Sequence, residues 1–308
     1  MDSLMQLTRF QDRLSHLYLE KGHIEQDSKS VAYVTEKKRV PIPAADLALL
    51  MLGPGTTITH KAVCNLGDCN CTVVWVGEEG VRFYCHGRGG THFSANLIQQ
   101  AALASNLRTR RQVVVRMYEK RFGEKVAPDL HIQAIRGKEG FRVRNAYQKL
   151  AEQYGVQWQG RNYNPQDWQS GDPLNRALSA ASACLNGIVQ AGVVSAGYSP
   201  AIGFVHTGKM LSFVYDVADL YKVDLIVPLV FQTVAESDQK VEGRVRHACR
   251  DLFRKTRFLE RLLPDIREVL DGCDDSGEGT SEPAGRSESL DDRTEGRDIP
   301  WQHDRKDS

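Results

Sequence analysis

The sequence predicts an α+β protein in which a small β-rich N-terminal domain precedes a larger all-α domain and a disordered acidic C-terminal tail. Three observations predict this order. Short apolar runs separated by turns dominate residues 30–85, apolar residues recur at helical spacing after residue 90, and Gly, Ser, Asp and Glu dominate the chain after residue 270. The 308 residues are enough for about two domains. We place these domains at residues 1–90 and 91–272, with the tail at 273–308.

The β-rich domain is predicted from short runs of strand-forming residues bounded by charged, Gly-containing or Pro-containing turns. The predicted strands lie at residues 30–35, 40–42, 47–51, 72–76 and 81–85. The last two flank the segment GEEG at 77–80, which predicts a hairpin with a loop closed by glycine at both ends. A short helix is predicted at 61–66, between the third and fourth of these strands.

The larger domain is predicted from apolar residues at intervals of three and four. The predicted helical segments lie at 97–122, 129–154, 173–196, 210–234 and 241–270. Pro173 suits a first helical turn, and Asp172 suits the cap before it. The uncharged run at 177–208 is too polar and too broken by Ser, Asn, Gln and Pro to span a membrane, so it predicts a buried core helix and no membrane contact. The tail has too few apolar residues to order itself.

The near-zero net charge, 40 Lys+Arg against 39 Asp+Glu, is an average over unlike segments. Residues 271–308 carry 12 acidic and 5 basic side chains, a net of −7, which leaves 35 basic and 27 acidic side chains, a net of +8, in residues 1–270. Residues 101–150 alone hold 12 basic and 4 acidic side chains. Positive charge concentrated on helices is typical of a surface that binds a polyanion through its phosphates, although a solvated helical face is the alternative.

Two basic helical segments contribute to this predicted surface. The residues that we assign to it are Arg108, Arg110, Arg111, Arg116, Arg136, Lys138, Arg142, Arg244, Arg246 and Arg250. Arg121 belongs to the first of the two basic runs.

Seven cysteines, an odd number, in a chain too large to need disulfide cross-links predict reduced thiols and a cytoplasmic protein. No secretory signal is visible at the N-terminus, which is charged throughout. Cys64, Cys69, Cys71 and Cys85 lie close together along the chain, but their spacing is not that of the common paired zinc knuckles. Buried free thiols are therefore the expectation, and a structural zinc site is the alternative.

A small set of acidic residues and one histidine could form a catalytic site. Asp216 and Asp219 are three residues apart, which on a helix places both carboxylates on one face, and His206 precedes them by ten residues. Glu139 lies inside the most basic stretch of the chain. An oxygen-rich set with one imidazole suits Mg²⁺ or Mn²⁺ better than zinc, and such an ion beside a phosphate-binding surface indicates phosphodiester chemistry. A salt-bridged surface pair and a capping histidine are the alternative.

Three segments around these residues resemble the CRISPR-associated spacer-acquisition integrase family, the catalytic subunits of the adaptation complex. The segments PAIGFVHTGK at 200–209 and LSFVYDVAD at 211–219 are similar to the signature of that family, and RGKEG at 136–140 resembles its glutamate motif. Residues 154–172 resemble the subtype I-E branch in particular. The likeness runs from about residue 10 to residue 270, with the motifs in the family's order.

The resemblance implies specific roles and partners. The metal ligands would be Glu139, His206 and Asp219, with Asp216 as a supporting catalytic residue beside them. The reaction implied is a transesterification in which the 3′-hydroxyl of a short captured DNA attacks a phosphodiester at the CRISPR repeat boundary, with Mg²⁺ or Mn²⁺ as the cofactor. The site would also cut DNA. The chain would form a homodimer largely through its β-rich domain, and two such dimers would clamp a dimer of a small ferredoxin-like adaptation protein.

Two departures from the family pattern accompany this likeness. Many family members carry Glu where Asp219 stands, and the cysteine set is not part of the family pattern. Two functions from other classes stay open on the sequence. One is a non-catalytic DNA-binding scaffold in which the carboxylates are structural, and the other is a stand-alone repair nuclease of the same fold.

Overall fold

The computed structural model describes residues 9–28, 30–80, 82–87, 94–127, 130–161 and 172–271. All of these residues belong to one compact unit that ends at Cys273. A β-rich N-terminal region is followed by a helical body, as the sequence predicts. The predicted domain boundary between residues 90 and 91 and the predicted acidic tail lie outside the described residues, so both stay predictions.

The described strands form two four-stranded sheets. Their bounds are β1 Leu14–Leu19, β2 Gly22–Asp27, β3 Ser30–Val34, β4 Arg39–Ile42, β5 Leu47–Leu52, β6 Thr56–Ile58, β7 Thr72–Val76 and β8 Phe83–Gly87. The first sheet has the order β1-β5-β7-β8, with the first three strands parallel and β8 antiparallel. The second sheet has the order β4-β3-β2-β6, and its β2–β6 pair is parallel.

The predicted strands are confirmed to within two residues, and β7 and β8 form the predicted hairpin around 77–80. Three strands were not predicted, namely β1, β2 and β6. The reason is visible in β1, where polar residues occupy two successive buried positions, one on each face of the strand. Ser15 and His16 are both buried there, so the strand lacks a plain alternation of apolar and polar residues.

β5 links the two regions of the fold. All six of its residues are buried, because one face of the strand packs on the core of the β-rich region and the other on the helices. Leu50 and Leu52 belong to the first core, and Leu49 and Met51 to the second. A strand covered on both faces reads as a continuous apolar run, which is what the sequence LALLML shows.

The helices of the described residues have the following bounds. They are α1 His60–Asp68, α2 Ala95–Ser105, α3 Leu107–Phe122, α4 Ile132–Tyr154, α5 Pro173–Ser195, α6 Ser212–Tyr221, α7 Val227–Glu236, α8 Val241–Lys255 and α9 Phe258–Asp271. The prediction of helices at 61–66, 129–154 and 173–196 is confirmed with small shifts at the ends. Asp172 caps α5 as predicted, with its Oδ1 atom accepting a hydrogen bond of 2.8 Å from the Asn175 amide.

Three predicted helical segments are interrupted, which corrects the sequence prediction. Asn106 ends the first segment and caps α3 by accepting from the Arg108 amide. The segment at 210–234 is broken by a turn of π-helix at Lys222–Ile226, two residues before Pro228, which has no N–H for the regular α-helical ladder. The segment at 241–270 breaks between α8 and α9, where Arg257 has a φ of +50°.

α5 is the central helix of the larger region. It is the one helix in the described ranges that is long and apolar enough to cross a membrane by length and composition, but 78% of its apolar window is buried inside the protein. It packs against α6, α7, α8 and β5, which confirms the prediction of a core helix. Two glycines let neighbours approach it closely, because a Cβ atom at Gly187 would lie 2.8 Å from Leu49 and one at Gly192 would lie 2.6 Å from Leu262.

Candidate active site

A buried carboxylate on α6 organises the His206 loop, the segment at 196–211 between α5 and α6. Asp216 is 2% exposed, and its Oδ2 atom accepts hydrogen bonds from the backbone amides of Phe204 (2.6 Å) and Val205 (3.1 Å). Its Oδ1 atom accepts from the amide of His206 and lies 2.8 Å from the Nδ1 atom of the same residue. Because a carboxylate only accepts hydrogen bonds, the neutral His206 ring carries its proton on Nδ1 and keeps a free lone pair on Nε2.

The same loop is held from three other helices. Gln100 of α2 donates to the carbonyls of Ser199 (3.0 Å) and Ile202 (2.8 Å) and accepts from the Ser199 amide (2.7 Å). Arg110 of α3 donates to the Phe204 carbonyl. These contacts satisfy the polar backbone of a segment that has no regular structure of its own.

Two further features complete the loop. Arg136 of α4 donates to the Val205 carbonyl at 3.1 Å. Gly203 is required by close approach, because a Cβ atom there would lie 2.3 Å from the His206 carbonyl oxygen. The loop is therefore shaped by the side chains around it.

Glu139, His206 and Asp219 converge on one point from α4, the loop and α6. The Nη2 atom of Arg121 forms an ion pair with Glu139 and lies 3.6 Å from the Asp219 carboxylate. The Nε2 atom of His206, the atom left free by Asp216, is 3.9 Å from the same Asp219 oxygen. The structure thus brings together all four residues predicted from the sequence, and it adds Arg121 between Glu139 and Asp219.

The electrostatics of the site follow from this geometry. The hydrogen bond to Asp216 raises the pKa of His206 above its ordinary value, burial opposes that shift, and Asp219 supports it. Burial lowers the pKa of Arg121, and Asp219 acts in the opposite direction. The ordinary pKa of a guanidinium lies so high that Arg121 keeps its charge near neutral pH.

The donor chemistry of this site suits a divalent cation. Two carboxylates and one imidazole form an oxygen-rich set, and the Asp216 bond to Nδ1 is the kind of outer contact that orients a metal-binding histidine. Among the residues that the structure describes, no group of three His, Cys, Asp or Glu side chains has an arrangement that could hold a metal ion. At this site the Arg121 guanidinium lies between the carboxylates, in contact with both.

Most of the arginines assigned to a phosphate-binding surface have partners within the chain. Arg116 donates to the carbonyls of Val269 and Leu270, and Arg246 donates to the Glu79 carbonyl and pairs with the Glu79 carboxylate. Arg244 donates to the Thr233 carbonyl. These bonds tie helices to neighbouring elements, which is a structural task that a count of charges along the chain does not reveal.

The remaining members of the set fall into two groups, those with partners and those without. In the first group, Arg110 and Arg136 hold the His206 loop, and Arg111 donates to the Leu130 carbonyl. Arg142 pairs with Asp224 and donates to the Arg121 carbonyl, and Arg250 pairs with Asp251. Arg108 and Lys138 are exposed and have no side-chain partner within the described part of the chain. Within the assigned set, these two are the cations most available to a ligand.

The four clustered cysteines differ in their surroundings. Cys69 and Cys71 are buried, whereas Cys64 and Cys85 are exposed. Cys64 lies 3.6 Å from the Nδ1 atom of His60 on the same helix, α1. The absence of a stoichiometric zinc ion stays a prediction that metal analysis of the purified protein would test.

Sequence reasoning missed two residues of the site. In the sequence, Arg121 is one of several positive charges on the same predicted helix. In the structure, its side chain faces the interior and is only 8% exposed. The available signal was its position among buried residues, because Val114, Met117 and Tyr118 place the same face of α3 in the core. Gln100 gave no signal, since its partners are about 100 residues away along the chain.

The family of the protein follows from its similarity to known proteins. Residues 97–248 match the family model described as CRISPR associated protein Cas1. The chain is 45% identical over 270 residues to the CRISPR-associated endonuclease Cas1 2 of Thermus thermophilus, which covers 88% of this chain and 83% of that relative. The protein belongs to the Cas1 family. A second Cas1 relative, the CRISPR-associated endonuclease Cas1 of Escherichia coli, is 45% identical over 260 residues, or 84% of this chain and 85% of its own length.

Solved Cas1 structures share the fold over nearly their whole length. The crystal structure of TtCas1 has a TM-score of 0.78 and 44% identity and covers 85% of this chain and 99% of its own. The crystal structure of the TtCas1–DNA complex has a TM-score of 0.76 and 41% identity, with 88% and 98% covered. A casposase bound to an integration product, at 13% identity and a TM-score of 0.59 over 83% of this chain and 91% of its own, shows the same fold.

Proposed function

We propose that this Cas1-family chain is a divalent-metal-dependent DNA endonuclease and integrase that inserts short captured DNA into a CRISPR array as part of antiviral defence. Relatives at 45% identity that are named CRISPR-associated endonucleases support the nuclease activity. The observation that carries the proposal is the convergence of Glu139, His206 and Asp219 from three separate segments of the chain.

Each residue of the proposed active site has a defined task. Glu139, His206 and Asp219 would hold Mg²⁺ or Mn²⁺, and Asp216 orients the His206 ring so that Nε2 faces the other ligands. When bound, the ion supplies Lewis-acid polarisation of the phosphate and stabilises the leaving oxygen. The loop contacts of Gln100, Arg110 and Arg136 keep His206 in position.

The proposed reaction is an exchange of phosphodiester bonds. The 3′-oxygen of the captured DNA forms a bond to the phosphorus at the repeat boundary, and the bond from that phosphorus to the 3′-oxygen of the repeat strand breaks. The attacking hydroxyl loses a proton and the leaving oxygen gains one, so the number of phosphodiesters is unchanged. With water as the attacking group, the same displacement cuts DNA.

DNA would be bound through its phosphates by the exposed cations near the site. Lys138 directly precedes Glu139 on α4, and Arg108 lies in the first turn of α3, where no side-chain partner within the described part of the chain neutralises it. The solved complex of a 41% identical relative with DNA supports DNA binding, and the choice of these two residues rests on their exposure. We assign Arg116, Arg244 and Arg246 to internal contacts instead, because their hydrogen bonds join elements of the fold.

The assembly and location of the protein belong to the same proposal. We propose a cytoplasmic homodimer, formed largely through the β-rich region, that binds a small ferredoxin-like partner as two dimers on one partner dimer. The resemblance of residues 154–172 to the subtype I-E branch supports this arrangement. Residues 162–171 of that segment lie outside the described residues.

The test is an integration assay with a labelled short duplex and a repeat-containing plasmid, run with Mn²⁺ or Mg²⁺ and with or without the small partner protein. We expect His206→Ala and Asp219→Ala to lower strand transfer by at least about a hundredfold, because each removes a ligand whose chemistry the reaction needs. Duplex binding should stay close to the wild-type level in both variants.

Matched variants guard against a general loss of folding. His247→Ala on α8 and Asp238→Ala, three residues before the start of α8, remove the same residue types outside the set of Glu139, His206 and Asp219. Both variants should keep full strand transfer. Full activity in His206→Ala or Asp219→Ala would falsify the assignment of the active site. Wild-type protein that binds the duplex but neither cuts nor joins DNA under all these conditions would favour the non-catalytic scaffold.

A further inference from the structure

Arg121 occupies an unusual place for a basic residue of a DNA-binding protein. Its side chain is 8% exposed, and its guanidinium is directed away from solvent into the proposed active site. There it forms an ion pair with Glu139 and lies 3.6 Å from Asp219. These are two of the three side chains that would hold the metal ion, so one positive charge of the protein sits against both carboxylate ligands.

The charge balance of the site makes this contact necessary in the absence of a metal. Glu139 and Asp219 are mostly buried, and two carboxylates brought together in such a place repel each other unless a cation lies between them. A guanidinium is well suited to the task, because its planar set of N–H groups can donate to two carboxylates at once. It also stays charged when buried, whereas lysine can lose its proton.

The same carboxylate oxygens cannot serve both cations fully. A divalent ion binds carboxylate oxygens at about 2.0–2.6 Å, which requires the ligands to converge more closely than they do around a guanidinium. The Arg121 side chain has a second contact in the structure, because its guanidinium carbon lies 5.4 Å from the centre of the Tyr118 ring, within the range of a cation–π interaction. It can therefore give up the carboxylates without losing every favourable contact.

We propose that Arg121 is a displaceable counter-cation that holds Glu139 and Asp219 together in the metal-free protein and competes with the divalent ion for them. This inference rests on the proposed function, since it takes these residues as the metal ligands. It makes Arg121 a positioning residue whose removal has two opposite effects. The metal-free protein loses the charge that keeps its carboxylates together, and the divalent ion loses its competitor.

The experiment measures Mn²⁺ binding directly, without reference to nuclease activity. The full chain is freed of metal with a chelator, and free Mn²⁺ is followed by electron paramagnetic resonance during titration of wild type, Arg121→Met and Asp219→Asn. The thermal midpoint of each protein is recorded with and without Mn²⁺. Arg116→Met is the matched control, because Arg116 lies on the same helix and donates to the Val269 and Leu270 carbonyls rather than to a carboxylate of the site.

The expected pattern separates competition from simple structural support. An opposite charge within about 4–6 Å changes the proton affinity of a carboxylate by about ten- to a thousandfold, so we expect the Mn²⁺ Kd of Arg121→Met to fall by about tenfold or more. Its metal-free thermal midpoint should fall below that of wild type, and Mn²⁺ should raise the midpoint by more than it does in wild type. Arg116→Met should keep the wild-type Kd.

Three other outcomes decide against the inference. If Arg121→Met binds Mn²⁺ as weakly as wild type or more weakly, Arg121 is not a competitor, and the metal site itself is unaffected by that result. If wild type and Asp219→Asn bind Mn²⁺ equally, the proposed metal site is wrong and the inference falls with it. Should Arg121→Met not fold, Arg121→Gln replaces it. Glutamine keeps N–H donors for the carboxylates but carries no charge, so the Kd should still fall, and an unchanged Kd would refute competition.

Discussion

Asp216 is buried on α6, and its two oxygens face four hydrogen-bond donors from one short loop. The resemblance to the family implied a supporting role for Asp216 beside the metal ligands, and the spacing of three residues predicted that it shares a helix face with Asp219. Its main task could not be predicted. Three of the four donors are backbone amides, and a sequence does not show which amides a carboxylate will meet.

Replacement of Asp216 by Asn tests this role at the level of one residue. The amide group of Asn keeps one accepting oxygen, but its NH₂ would face one or two backbone N–H groups that also need an acceptor. We expect Asp216→Asn to lower the free energy of unfolding by about 2–4 kcal/mol, because buried donors are left without partners. Urea denaturation followed by circular dichroism measures the loss.

Asp224→Asn is the control for this prediction, because Asp224 is exposed and, within the described residues, pairs with Arg142 alone. An exposed pair of this kind contributes about 0–1 kcal/mol, so its removal should change stability little. Equal stability of Asp216→Asn and wild type would show that the loop does not depend on the carboxylate.

Arg121 shows the limit of reading charge along a sequence. It is one of 12 basic residues between positions 101 and 150, and nothing in its immediate neighbours separates it from Arg110 or Arg116. In the structure these three residues do three different things, because one pairs with carboxylates, one holds the His206 loop and one joins α3 to α9. Arg110 and Arg121 are eleven residues apart and share one side of α3 about three turns from each other, whereas Arg116 lies on another side. Both the side of the helix and the position along it therefore decide the task of each residue.

At the scale of elements, the long helices were predicted well and their interruptions were not. Apolar spacing continues across the breaks at Asn106, at Lys222–Ile226 and after Lys255, so the pattern predicts one helix where the structure has two. Only the second break has a visible cause in the sequence, which is Pro228. The π-helical turn follows Asp219 by three residues and lies next to the proposed active site, a common place for such turns.

The close packing of α5 gives a prediction at this scale. A Cβ atom at Gly192 would lie 2.6 Å from a methyl group of Leu262, which is fully buried and cannot move without disturbing α9. Overpacking lowers the free energy of unfolding by about 1–3 kcal/mol, and the better helix propensity of alanine offsets about 1 kcal/mol of this loss. We therefore expect Gly192→Ala to lower the free energy of unfolding by up to about 2 kcal/mol in urea denaturation.

Gly137→Ala is the matched control for Gly192→Ala. Gly137 is an exposed residue of α4, and no atom lies within 4 Å of the Cβ atom that alanine would add there. The substitution should raise stability by about 0.5–1 kcal/mol, because only the helix propensity changes. A stabilising Gly192→Ala would mean that α5 and α9 are less closely packed than the structure shows.

At the scale of the whole molecule, the order of a β-rich region and a helical body was predicted because each has a distinct periodicity. Apart from the predicted β7–β8 hairpin, the pairing of the strands was not predictable, since β1 pairs with β5 and β2 with β6 across long stretches of chain. The same is true of the active site. The motifs that resemble the Cas1 family indicated which residues belong to it, but only the packing of α2, α3, α4 and α6 shows how they meet.

The distribution of thiols across the molecule gives the last prediction. Cys64 and Cys85 are exposed, whereas Cys69, Cys71, Cys184 and Cys249 are buried. Burial raises the pKa of Cys71 to about 12 and also raises that of Cys69, so both stay in the unreactive thiol form near neutral pH. Among the six cysteines in the described part of the chain, alkylation of the native protein, mapped by peptide mass spectrometry, should modify Cys64 and Cys85 first, and urea should expose the four buried ones.

Rapid labelling of Cys71 in the native protein would contradict this distribution. A zinc ion held by the four clustered cysteines would give the opposite pattern for the exposed pair, because metal-bound Cys64 and Cys85 would be protected until a chelator is added. The same experiment therefore decides between free thiols and the zinc site that the sequence left open.

The anchoring of the His206 loop also has a consequence for the order in which the protein folds. Its anchors are 99, 94 and 69 residues away in sequence, on α2, α3 and α4. Contacts across such separations form only after the chain has brought distant segments together. The helices can form early, whereas the loop takes its shape last, when all of its anchors have packed. A nascent or partly folded chain thus lacks an assembled active site, and the proposed nuclease activity would be present only in the native state.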